Sequence, residues 1–168
     1  MPSQALETVT TMTDGPRYDD DFYAWTQHQA MVLRAMAVAD NRFDREKVAV
    51  RIEDLGGSRR DSVRSQVRRI IEHLLKLAYS PAAQPRYDWM ASIAETRDTL
   101  EDQISPTLHR DAKAMLAKLY EGGRNRAELG LRGYGVTETT GALPAECPFT
   151  INEILRRGWY PEPPGEKS

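Results

Sequence analysis

The residues predict an all-α protein, an antiparallel up-and-down bundle of four main helices with a short C-terminal helix. Three observations carry this. Between Asp44 and Tyr79, the apolar residues Val48, Ile52, Leu55, Val63, Val67, Ile70, Leu74 and Leu77 fall mostly three or four apart, which is one face of a helix. Other stretches repeat that spacing and are parted by short connections rich in Pro or Gly. No stretch alternates apolar and polar residues as a half-buried strand would.

Taken in order, residues 1–17 are rich in Thr and other polar side chains and end near Gly15-Pro16, so a disordered lead-in is expected. Tyr18-Asp19-Asp20-Asp21 opens the first helix, with acids at the positive end of its dipole. Its apolar face is Phe22, Trp25, Val32, Leu33, Met36 and Ala39, which carries it to about Asp40. Asn41-Arg42-Phe43 is a turn and Asp44 caps the long central helix.

Within the central helix, Gly56-Gly57 breaks the stripe, each glycine costing about 1 kcal/mol against alanine. The eight-residue gap from Leu55 to Val63 shifts the stripe by about 80° without reversing it. One helix, straight or kinked at the glycines, is expected. Pro81 and Pro85 end it.

Trp89, Ile93, Leu100 and Ile104 define a third helix that stops before Pro106. Leu108, Ala112, Met115, Leu116 and Leu119 define a fourth, continuing past Gly122-Gly123 to about Leu131. Gly130 to Pro144 reads as loop. Thr150-Ile151-Asn152-Glu153 is a capping box, and the short helix it opens should run through Arg157 with Gly158 as its C′ residue. The bundle therefore spans 18–161, with a frayed tail over 162–168.

At 168 residues the chain suits a single domain. The net charge of −2 excludes a global field toward nucleic acid or anionic lipid. Arg59 to Lys76 nonetheless holds six basic residues against Asp61 and Glu72, which leaves room for a local patch. The single Cys147 excludes an intrachain disulfide, and no apolar run approaches the ~20 residues of a membrane span. The first sixteen residues lack the basic start and apolar core of a secretory signal, so a cytoplasmic location is expected.

Several fragments, in order, resemble the bacterial domain-of-unknown-function family number 29. They are Tyr18-Asp19 with Asp21-Phe22-Tyr23-Ala24-Trp25-Thr26, then Ile52-Glu53-Asp54-Leu55-Gly56 and His73-Leu74-Leu75-Lys76. Trp89 and Arg97 follow, then Cys147-Pro148-Phe149-Thr150. The resemblance covers about Tyr18 to Pro161. It implies an all-helical bundle and no agreed activity. Val50-Arg51 depart from it, standing where the family often places acids, and Gly57 adds a second glycine.

Three polar residues sit on or beside apolar stripes: Glu53, His73 and Arg97. Glu53 and His73 are twenty residues apart, roughly 30 Å along a straight helix, so they do not share a site. An inter-helix Arg97–Glu53 pair is expected, in a structural role that fixes helix register. A metal site is not expected. The residues three before His28, His73 and His109 are Trp25, Ile70 and Pro106, so the Glu-x-x-His pattern of bundle metal sites is missing. No cofactor motif occurs either. Cys147 lies just ahead of a helix start that lowers a thiol pKa, but a small packed residue is the simpler reading.

Arg60, Arg64 and Arg68 line one helix edge with Arg59 and Arg69 beside them, a surface for an anionic partner. The leading expectation is a non-enzymatic cytoplasmic interaction module, either self-associating or binding another protein. One alternative is a nucleic-acid-associated helical protein using that basic edge. The other is a hydrolase built on Glu53, His73 and Arg97.

Overall fold

A computed structural model describes residues 15–81, 85–134 and 143–164. Six helices follow in order: α1 Phe22–Ala35, α2 Arg45–Tyr79, α3 Arg86–Glu101, α4 Pro106–Ala114, α5 Leu116–Gly133 and α6 Ile151–Leu155. No strand occurs among the described residues. Most of the expected lead-in and tail, and 135–142 of the expected loop, lie outside the described residues, whereas 130–133 of that loop are helical as the end of α5.

The caps form where the residues ask for them. Asp21, Asp44, Ser105 and Thr150 each accept a bond from the backbone N–H three residues on, and the Thr150/Glu153 box closes in both directions. Helix ends without such signals fall elsewhere than expected. α1 stops at Ala35, with Met36 already extended, because nothing covers Met36 or Ala39 and packing is what sustains a helix end. The expected fourth helix is two, α4 and α5, parted at Met115. α6 ends at Leu155, and Gly158 takes its positive φ of 71° in the turn beyond.

The 35 residues of α2 make one uninterrupted helix roughly 52 Å long. It is the common partner of α1, α3 and α5, with lighter contacts to α4 and α6. Its two halves differ. From Val63 onward, Val63, Val67, Ile70, Leu74 and Leu77, flanked by Ile71 and Leu75, are sealed between α3 and α5. They meet Trp89, Ile93 and Leu100 of α3 and Leu119, Ala127 and Leu131 of α5 in one core. Leu108 of α4 and Ile151 and Ile154 of α6 close it.

The first half of α2 lies along α1, with Ser62 at its end also bonding Gln103 at 2.9 Å, and the α1 seam is made of small residues. Thr26 and Ala30 of α1 and Ala49 and Gly56 of α2 are buried there. α1 runs antiparallel along it, with Phe22 beneath Arg59, Thr26 against Gly56, and the Met36 carbonyl accepting from Arg45. These two stretches form an arm beyond the core. Val48 and Leu55, expected in the core stripe, are exposed on it.

The two central glycines have opposite reasons to exist. A Cβ on Gly56 would sit 2.0 Å from Thr26 Oγ1, so Gly56 is what lets α1 approach. A Cβ on Gly57 would meet nothing within 4 Å. Gly56→Ala is therefore expected to destabilise by about 1–3 kcal/mol through overpacking. Gly57→Ala should stabilise by up to about 1 kcal/mol through helix propensity. Urea unfolding of the two variants checks this, and shifts of the same sign would contradict it.

Candidate functional site

The three polar residues singled out by their stripe positions do not meet. Arg97, 3% exposed on α3, faces the C-terminal end of α6. Its Nε donates to the Ile154 carbonyl at 2.9 Å, Nη2 to that of Glu153 at 3.0 Å and Nη1 to that of Trp159 at 2.8 Å. Tyr160 stacks over the guanidinium at 5.5 Å. A cation there satisfies carbonyls that a helix end leaves free and suits the dipole. Burial lowers the Arg97 pKa, and Tyr160 partly opposes that. Arg97 is a peg for the C-terminal segment.

The expected Arg97–Glu53 pair does not form. Glu53 is held across the arm by Arg34 of α1, with Nη1 and Nη2 on its two oxygens at 2.5 and 2.8 Å. Arg34 Nε also reaches both oxygens of Glu46, at 3.1 and 3.3 Å. The Arg34 guanidinium holds the Glu53 carboxyl below its usual range. Glu53 lines an open polar concavity of about 750 Å³ with Tyr23, Gln27, Gly57 and Arg60, but its oxygens are engaged by Arg34. His73, half-buried between core positions, has its pKa lowered first by desolvation and then by Lys76 and Arg69, with Glu72 opposing. Its neighbours Lys76 and Glu72 bond each other at 2.6 Å.

The five arginines of the expected basic edge are divided among different neighbours. Arg59 stacks over the Phe22 ring at 5.1 Å. Arg60 pairs with Asp61 at 3.2 Å. Arg64 makes a bidentate pair with Asp111 of α4, Nε at 2.8 Å and Nη2 at 2.6 Å, with both side chains 24% exposed. Arg68 lies over Gly122 and lines a groove of about 370 Å³ with Arg64, Lys118 and Glu121. Arg69 is exposed.

Cys147 donates its S–H to the Phe149 carbonyl at 3.2 Å, and burial pushes its thiol pKa up rather than down. The helix-start effect expected on it is outweighed. Among the described residues, no three His, Cys, Asp or Glu side chains are grouped to hold a metal ion. Within the same residues no helix is long and apolar enough to cross a membrane.

Asp21 is a joint that helix reading alone misses. It caps α1 through Ala24 N–H at 3.0 Å, and also accepts from Ser105 Oγ at 2.8 Å and Thr107 N–H at 3.0 Å. One carboxylate thus ties the starts of α1 and α4. Desolvation raises its pKa, but the bonds from Ala24, Thr107 and Ser105 outweigh it and leave the carboxyl below its usual range.

Exposed apolar side chains concentrate on the arm. Among the described residues, eight of the twelve large exposed ones fall between Met31 and Leu55. Leu55 and Met31 are each 59% exposed and Met36 50%. Val48 and Leu55 share a flank of α2 with half-buried Ile52, and half-buried Phe22, Trp25 and Leu33 share one of α1. The Arg59–Phe22 stack shows that these two flanks lie on the same side of the arm.

The model of a domain of unknown function, DUF29, matches residues 17–160. The chain belongs to the DUF29 family. A solved α-helical protein of unknown function from Rhodospirillum rubrum shares the fold, with a TM-score of 0.78 and 24% identity over 86% of this chain and 92% of that one. No curated protein matches.

The fragments that carry the DUF29 resemblance fall largely at joints. Asp21 ties α1 to α4, Gly56 admits α1, Glu53 holds Arg34 and Arg97 pegs α6. Leu55 and Tyr18 stand apart from these joints, 59% and 55% exposed.

Two outcomes follow from these joints. Arg97→Ala is expected to lose about 2–3 kcal/mol, with Arg97→Lys a poor rescue because a point charge does not span three carbonyls. Urea unfolding and proteolysis after Leu143 report it. The folded pKa of Asp21 is depressed, so its contribution is present above the unfolded pKa, near 3.8, and is lost as pH falls through the folded value. Asp21→Ala should therefore cost about 1–2 kcal/mol at neutral pH and progressively less in strong acid. A cost independent of pH would contradict this.

Proposed function

We propose that the protein is a non-enzymatic helical interaction module whose docking face is the arm made by α1 and the first half of α2. In this reading residues 18–161 work as one unit in the cytoplasm. Its four main helices run up and down, with the core from Val63 onward as the scaffold that presents the arm. The observation that carries the reading is the crowding of exposed apolar side chains between Met31 and Leu55. Scattered exposed apolar residues are ordinary; a cluster on one projecting element marks an interaction surface.

The polar residues support the same conclusion from the other side. Glu53 and Arg97, which a hydrolase would need free, are engaged in bonds that hold helices together. Of the basic edge, Arg59, Arg60 and Arg64 are already stacked or paired, which weakens a continuous track for a phosphate backbone.

Native mass spectrometry of the full chain, purified gently from its own host, tests the proposal. A protein-sized added mass is expected, and Leu55→Glu should remove it while the circular dichroism stays helical. A bare monomer, or a metal- or nucleotide-sized mass alone, would contradict the reading.

A further inference from the structure

We infer that the occupant of the arm is a second copy of this chain, two arms meeting flank to flank about a two-fold axis to complete a four-helix bundle. The inference rests on the interaction reading above and names its partner.

The spacing of the flank is the first argument. On α2, Val48, Ile52, Leu55 and Arg59 are separated by four, three and four residues. On α1, Phe22, Trp25, Gln29 and Leu33 are separated by three, four and four, with Gln29 the one polar member. Those are the intervals with which helices interlock at shallow angles in four-helix bundles. Both stripes lie on one side of an antiparallel pair, as the Arg59–Phe22 stack fixes. Tyr18 and residues 102–105 lie beside the Phe22–Arg59 end of this face; beyond that end it lacks the two helices that would cover it, and an identical hairpin supplies them. An isologous contact needs only this one surface.

Charge is the second argument. From Phe22 to Arg60 the arm carries seven basic and five acidic residues, and Arg59 and Arg60 among the seven are already stacked on Phe22 and paired with Asp61. Every one of the five acids is paired within the arm: Asp40 with Arg42, Asp44 with Lys47, Glu46 and Glu53 with Arg34, and Asp54 with Arg51. A surface so balanced neither attracts a strongly charged partner nor repels its own copy. What remains to drive docking is apolar contact.

Size sets the strength: α1 is roughly 20 Å long and two packed helix axes lie about 8–10 Å apart, so the flank covers roughly 400 Å² a copy, the footprint of a weak, concentration-dependent dimer.

Light scattering on the purified full chain, from micromolar to millimolar, tests the inference. The expected mass approaches twice 19.0 kDa. Leu55→Glu should weaken the dimer on the order of 30-fold, as loss of a central apolar contact does, while Val50→Glu on the other flank should not. Leu55→Cys should cross-link between copies under mild oxidation and Val50→Cys should not, a readout that needs no destabilising charge. Monomer throughout the range would overturn self-association. In that case a different protein lost on Leu55→Glu from the host-derived complex would keep the interaction reading alive, and its absence would remove both. A dimer indifferent to Leu55→Glu and not joined by Leu55→Cys would also overturn the inference.

Discussion

The structure depends on a mismatch of length: α2 runs roughly 52 Å, and the rest of the chain covers both sides of only its second half. From Val63 to Leu77 the helix is sealed by α3 and α5, and burial there is of the kind that supplies most folding free energy. Ahead of Val63 its buried contacts are with α1, through a seam of Thr26, Ala30, Ala49 and Gly56, and other elements reach it only near residues 59–62, as where Ser62 bonds Gln103 at 2.9 Å. Small residues let two backbones approach closely but bury little apolar area. Stability is therefore unevenly distributed along a single helix, and the arm is the part with most to gain from outside contact.

The polar residues express the same constraint. A chain that hangs its helices on one axis must fix each at its ends, and charged groups perform that fixing. Asp21 joins two helix starts, Arg97 gathers three carbonyls at a helix end, and Arg64 clamps Asp111. Arg34 fastens the arm through Glu46 and Glu53. Glu53 and Arg97, two of the three residues that resemble a reactive cluster in one dimension, prove to be fasteners in three.

Much of the helix inventory was legible in the residues because it is set locally. Asp44 and the Thr150/Glu153 box state where helices begin, and Pro81 states where α2 must already have ended. What was not legible depends on partners far along the chain. Glu53 bonds Arg34 and not Arg97, a choice made by how α1 docks. Arg97 bonds backbone carbonyls, which side-chain patterns do not advertise. Gly56 reads as a weak point in a helix until α1 is laid against it. The stripe of Val48, Ile52 and Leu55 matches that of the core residues in spacing, so periodicity alone does not tell a covered face from a waiting one.

Native-state hydrogen exchange along α2 tests the account most directly. For the dilute protein, amides after Val63 should exchange only through global unfolding. Amides between Arg45 and Arg60 should exchange through a separate opening of lower free energy, and should gain protection as the arm becomes occupied. Uniform protection along the whole of α2 in the dilute protein would contradict the division of this helix into a sealed half and a waiting half.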